Sequence, residues 1–100
     1  MSRPIFTEDA TEDAAQAIRW HEAERGGRGV KFLAAIEIAL DHIEHRPESF
    51  PELALRFRRI IVRRFPYALF YRMEADQIVI HAVFHTSRNP SKLSDRLRDA

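Results

Sequence analysis

The sequence predicts an α+β fold: an N-terminal strand, then a two-helix hairpin packed on a three- to four-stranded antiparallel sheet. Three observations carry this expectation. Apolar residues recur at helical spacing on both sides of the break Arg25-Gly26-Gly27-Arg28-Gly29, the only glycine-rich point of the chain. From Leu55 onward the period changes to two, in segments rich in β-branched and aromatic residues. Pro66 and Glu74-Ala75-Asp76 then divide this second half into pieces short enough to be strands.

Each element has its own local reason. Pro4 to Thr7 is a short apolar piece that reads as an edge strand. Thr7 or Thr11 can cap the helix that follows, and Glu8, Asp9, Glu12 and Asp13 place negative charge in its first turns, where the helix dipole favours it. Ala10, Ala14, Ala17, Ile18 and His21 fall on one stripe. A second helix from about Val30 to Glu44 presents Phe32, Leu33, Ile36, Leu40 and Ile43 on one face. With a glycine turn between them the two helices form an αα-hairpin. Pro47 to Pro51 is a loop bounded by prolines. Leu55–Phe65, Tyr67–Met73 and Gln77–Thr86 are the expected strands, the last alternating Ile78, Ile80, Ala82, Phe84 against Val79, His81, Val83, His85. Asn89-Pro90-Ser91 opens a polar tail with a short helix to Asp99. The helical hairpin should cover one side of the sheet and leave the other partly free.

Charge separates the two halves. Residues 1–52 hold eleven Asp and Glu against six Lys and Arg, a net of −5; residues 53–100 hold four against ten, a net of +6, and the two sum to the overall +1. Near-neutrality therefore hides a dipolar molecule with a basic side for an anionic partner. Arg56, Arg58, Arg59, Arg63, Arg64 and Arg72 lie within one stretch that contains no acid. Strict alternation would put Arg59 and Arg63 on one face and Arg56, Arg58 and Arg64 on the other. The overall +1 is far below that of a typical nucleic-acid-binding domain, so direct binding to nucleic acid is not the leading expectation.

One hundred residues suit a single domain spanning 1–100, and 45% hydrophobic with 31% charged residues is a globular rather than a disordered composition. The chain has no cysteine, which removes disulfides and thiolate metal sites and suits a reducing cytosol. Met-Ser-Arg-Pro-Ile-Phe has no apolar core of a secretory leader, and no stretch is long and apolar enough for a membrane helix. A cytoplasmic protein with no membrane partner is expected. Metal binding is not: His42 and His45 share a helix face without a third ligand, and His81 and His85 are about 13 Å apart by strand rise. Trp20 lies off the stripe of the first helix and is expected to pack against the glycine turn, with a role as an exposed partner anchor as the alternative.

The ordered residues resemble a known family. Arg59 and Arg64-Phe65-Pro66-Tyr67 followed by Tyr71 form the pattern R-x-x-x-x-R-F-P-Y-x-x-x-Y, and Val83, His85, Arg88 and Pro90 form V-x-H-x-x-R-x-P. With Phe32-Leu33-Ala34-Ala35-Ile36-Glu37 and Pro47-Glu48-Ser49-Phe50-Pro51, these make the chain similar to the RelE/ParE toxins from about Ile5 to Pro90. The resemblance implies the toxin of a bacterial type II toxin–antitoxin pair, held in a tight complex by its cognate antitoxin and needing no cofactor. RelE-like members cut messenger RNA on the ribosome; ParE-like members act on DNA gyrase and are not nucleases.

A metal-free ribonuclease needs cations on the phosphate and groups that move protons. The RelE-type pattern supplies basic residues on the sheet and a tyrosine in the tail. By this resemblance Arg63 and Arg88 are the phosphate candidates and His85 the proton carrier. The tail from Ser91 to Ala100 contains neither tyrosine nor histidine, so the ParE-like reading leads and the ribosome-dependent ribonuclease is the alternative. A third reading is a family member kept only as a binding module. Arg59, Arg63, Arg64, Tyr71, His85 and Arg88 are the expected partner contacts, although Tyr67 and Tyr71, mid-sheet, also read as packed tyrosines with bonded hydroxyls.

Overall fold

The computed structural model describes residues 3–100; Met1 and Ser2, the start of the segment read above for a leader, lie outside the described residues. β1 (Ile5–Phe6) runs into α1 (Glu8–Glu24), followed by α2 (Arg28–His45), β2 (Arg58–Ile61), β3 (Tyr67–Glu74), β4 (Gln77–His85) and α3 (Pro90–Arg98). The strands lie in the order β1-β4-β3-β2. β2, β3 and β4 are antiparallel neighbours as expected, whereas β1 joins β4 in parallel, so the fourth strand makes the sheet mixed. β1 is held there by the Thr7 N–H donating to the Ile80 carbonyl at 3.0 Å and by Gln77 Nε2 donating to the Arg3 carbonyl at 3.0 Å. Among the described residues no helix is long and apolar enough to cross a membrane.

Thr7, not Thr11, caps α1: its hydroxyl accepts from the Ala10 N–H at 3.1 Å. The turn into α2 is built by Glu22, whose carboxylate accepts from the N–H groups of Gly27 and Gly29 at about 3.0 Å and so satisfies donors that a helix start leaves open. Gly27 sits at φ 87, a conformation that glycine adopts without strain. A Cβ on Gly29 would lie 2.9 Å from the Ile18 carbonyl oxygen, so this position sets how closely the two helices approach. α2 buries Phe32, Ile36, Ala39, Leu40 and Ile43. Leu33, expected on that face, is exposed because it lies one step around the helix from the stripe these residues define.

The strand expected over Leu55–Phe65 is only four residues long. A 3₁₀ turn at Ala54–Arg56 precedes it, with Leu55 and Arg56 at φ 60 and 67, and a turn follows it with Arg64 at φ 69. The expected alternation of arginines from Arg56 to Arg64 therefore does not hold; of that run only Arg58 and Arg59 stand on the strand.

The alternation along β4 also changes phase partway. Phe70 pairs with Ala82 but Tyr71 pairs with Ile80, which leaves His81 as the extra residue of a β-bulge. As a result Ile78, Ile80 and Val83 join one core with Phe32, Ile36, Leu40, Leu69 and Tyr71 beneath the helical hairpin. Ala82 and Phe84 join Ala68 and Phe70 in a second core on the opposite side, where Leu93 and Leu97 of α3 pack against them. The side expected to be partly free is thus roofed in its middle by the tail helix, because a proline at its first turn and an Asn89 cap start a helix there with an apolar Leu93/Leu97 edge.

Candidate functional site

The basic residues sort into two sets. Arg58 donates to the Phe50 carbonyl at 2.7 Å and to Glu52 at 3.2 Å, and Arg72 pairs with Glu74 at 2.8 Å while lying over the Phe57 ring. These two are structural. Arg56, Arg59, Arg63, Arg64 and Arg88 are exposed and, among the described residues, have no carboxylate within ion-pair distance.

Register brings two of the free arginines together. Arg59 on β2 is the partner of Phe70 on β3 and shares its face, the α3 side of the sheet. Arg88, just past β4, lies over the Phe84 ring at 5.4 Å. Both line a shallow hollow of about 130 Å³ with Phe70, Phe84, His85 and Leu93. Arg63 and Arg64 stand apart from this hollow in the β2–β3 turn, so Arg63 is not on the sheet where the resemblance implied a catalytic arginine. His85 joins the rim: its Nδ1 accepts from the Ser87 N–H at 3.0 Å and its ring meets the Tyr67 ring edge-on at 5.1 Å.

Tyr71, expected among the partner contacts, lies inside the fold. It is 2% exposed, on the hairpin side of the sheet, and its hydroxyl donates to the Pro47 carbonyl at 2.7 Å. Burial pushes its pKa up to about 12 against the opposing field of Arg58, which keeps it a neutral donor. Odd-numbered positions of β3 face the hairpin, which explains why this tyrosine packs. Trp20, by contrast, is 58% exposed rather than packed against the glycine turn.

The apolar α3 side bears on chemistry. The surface between Arg59 and Arg88 is made of Ala68, Phe70, Ala82 and Phe84 under Leu93 and Leu97, with His85 and the two arginines only at its margin. The inward polar group of α3 is Arg96, and it is committed to Asp13 at 2.7 Å and 3.0 Å. The ion pair keeps the Arg96 pKa raised, chiefly through the Asp13 hydrogen bond. A cation rim with an apolar floor can grip an anionic polypeptide; it offers no tyrosine for proton transfer at a phosphate.

Two constellations were not visible in the sequence. Midway along β4 the bulged His81 meets Glu74 at 2.5 Å, with Arg72 on the same carboxylate and Phe57 against the imidazole. Burial pushes the Glu74 pKa up, but the hydrogen bonds from Arg72 and His81 outweigh it and hold the carboxyl below its ordinary range. At the near end, His21 is buried among Phe32, Phe65 and Tyr67, and its Nδ1 accepts from Arg28 Nε at 3.2 Å. Desolvation first, then the charge of Arg28, lowers its pKa. His81 and Glu74, like His21 and Arg28, are seven positions apart and meet across the bulge and the helix turn, while their aromatic neighbours come from distant segments.

Comparison with known proteins agrees with this geometry. The model of the family described as ParE toxin of type II toxin-antitoxin system, parDE, matches residues 5–90. A solved chain of the chromosomal ParDE TA system from P. aeruginosa superposes with a TM-score of 0.63 at 16% identity, covering 85% of this chain and 96% of that one, a likeness of fold. No curated protein matches in sequence. With the match running from β1 to the start of α3, the chain belongs to the ParE toxin family of type II toxin–antitoxin systems.

Proposed function

We propose that this chain is a non-enzymatic toxin of the cytoplasm that acts by binding, with DNA gyrase as its target, and that a cognate antitoxin silences it by covering the rim formed by Arg59, His85 and Arg88. The observation that carries the reading is the pairing of unpartnered guanidinium groups with an apolar floor on the α3 side of the sheet. An acidic, partly apolar segment would satisfy both: carboxylates on the rim, and a small apolar side chain at the mouth of the hollow, since Phe70 and Phe84 are themselves buried beneath Leu93 and Leu97. Arg63 and Arg64, exposed in the β2–β3 turn, extend the cationic surface toward the same partner.

The test is induction of the chain in cells with and without the neighbouring reading frame, together with a supercoiling assay on purified gyrase. Growth arrest relieved by the neighbour, and inhibited supercoiling with intact messenger RNA, is the expected result. Codon-positioned cuts in ribosome-bound RNA would instead establish the RelE-like ribonuclease, with His85 and Arg88 as its working residues. Normal growth throughout would leave a binding module only.

A further inference from the structure

We propose that the cleft between α1 and the Tyr67–His85 end of the sheet is a binding site for a phosphate-bearing anion. It is an open hollow of about 670 Å³ on the α1 side of the His85–Arg88 corner, sharing those two residues with the hollow beside α3 and reached from the exposed ring of Trp20. Its lining includes His21, Arg28, Tyr67, His85 and Arg88. The proposal does not depend on the gyrase or antitoxin reading.

Donors predominate among the polar groups of the cleft, with Gln16 and Ser87 able to accept as well. Arg28 donates to His21 Nδ1, and a guanidinium cannot accept, so the neutral His21 ring carries its proton on Nε2, a buried atom in the wall of the cleft without a partner. His85 Nδ1 accepts from the Ser87 N–H, which likewise leaves its proton on Nε2. Tyr67 stands between the two imidazoles, 5.6 Å from His21 and 5.1 Å from His85 by ring centres. Burial raises its pKa, so the phenol keeps its proton. Arg28 is held over the Phe65 ring at 4.8 Å, so its charge is placed rather than free to wander into solvent. The one carboxylate in the lining, Asp13, is already neutralised by Arg96.

Charge and valence select the ligand class. Two guanidinium groups with no free carboxylate in the lining match a dianion, and a phosphate monoester carries a charge of about −1.5 to −2 at neutral pH on three acceptor oxygens. A carboxylate, with two oxygens and one charge, would leave donors of the cleft unfilled. Free phosphate and a phosphate ester share this chemistry.

Trp20 is the only tryptophan of the chain, so its emission reports on the cleft directly. The full chain is titrated at constant ionic strength with sodium phosphate, ribose 5-phosphate and, as a dianion without phosphorus, glutarate. The expected result is a saturable emission change with half-saturation at about 1 mM or below for the phosphates and no saturation by glutarate. Tighter binding of ribose 5-phosphate assigns the site to esters; equal binding assigns it to the free ion. Tyr67→Phe, which keeps the ring, and Arg88→Gln, at an exposed position, should each weaken binding at least about tenfold, as loss of a hydrogen bond to a charged group does. A linear response, equal saturation by glutarate, or unchanged affinity in both variants would overturn the proposal.

Discussion

Asp13 and Arg96 clasp the outer edge of β4 from opposite sides of the sheet. The carboxylate accepts two guanidinium N–H groups, at 2.7 and 3.0 Å, across 83 positions of sequence. The same carboxylate accepts from the Val83 N–H at 3.0 Å, and Arg96 donates to the His81 carbonyl at 3.1 Å. β1 pairs with β4 only at Val79 and Ile80, so beyond that point the pair of side chains does for the strand edge what a neighbouring strand would do.

Asp13→Ala should therefore lower unfolding stability by about 2–3 kcal/mol, since it strips a partly buried cation and a backbone donor of their acceptor at once. Urea unfolding measures this. In a double-mutant cycle with Arg96→Ala the coupling should exceed about 1 kcal/mol. A loss within about 0.5 kcal/mol, typical of surface substitutions, would show that the clasp is dispensable.

Charge reversal separates rim from scaffold. Arg59→Glu with Arg88→Glu should weaken antitoxin binding at least about tenfold, with the loss growing at low salt. Arg98→Glu is the control, because Arg98 is exposed on α3 and, among the described residues, paired only with Asp95. Equal losses by titration calorimetry would place the antitoxin elsewhere. Arg96 is unsuitable as a control, since it anchors the helix.

Two groups should give stability a two-step acid dependence. His21 has a folded pKa below its ordinary 6.5, so the unfolded chain binds the extra proton and stability falls as pH drops from 6.5 toward the folded value. Glu74 has a folded pKa below 4.5; its contribution is complete above that value and is lost as pH falls through the folded one. Each step is limited to about 1.4 kcal/mol per pH unit. His21→Gln should abolish the upper step alone and Glu74→Gln the lower alone, followed by chemical unfolding between pH 7 and 3. Steps that persist in the matching variant would assign the dependence to other groups.

Tyr71→Phe removes the hydroxyl bonded to Pro47 and should cost about 1 kcal/mol. Antitoxin affinity should not change, because the ring is buried on the hairpin side. A loss of affinity without a loss of stability would return Tyr71 to the partner surface.

Gly29→Ala should cost about 1–3 kcal/mol by forcing α1 and α2 apart, detectable as a lower thermal midpoint. An unchanged midpoint would mean that the hairpin yields easily at this crossing.

The order of elements was legible in the sequence because each piece follows a local rule: caps and dipole charges at Thr7 to Asp13, a 3.6 period across Phe32 to Ile43, a Pro90 start for α3. The errors arose where a single residue shifts a phase. The bulge at His81 sends Ile80 and Ala82 to different cores, and no local preference announces it. Positive φ at Leu55, Arg56 and Arg64, residues that do not favour it, cut the expected long strand to four residues. Of the anticipated contacts, Arg59, His85 and Arg88 converge because register and strand end place them together. Tyr71 was lost to the core, and the Asp13–Arg96 and His21–Arg28 partnerships join positions that sequence spacing alone does not connect.

The inserted residue in β4 also binds the two halves of the molecule to a common fate. One continuous strand supplies Ile80 and Val83 to the hairpin layer and Ala82 and Phe84 to the tail layer. Detaching α3 would bare aromatic surface on a strand that the hairpin still needs in place. The short C-terminal helix is thus an integral wall of the building, and a toxin trimmed of it should lose solubility and rigidity together.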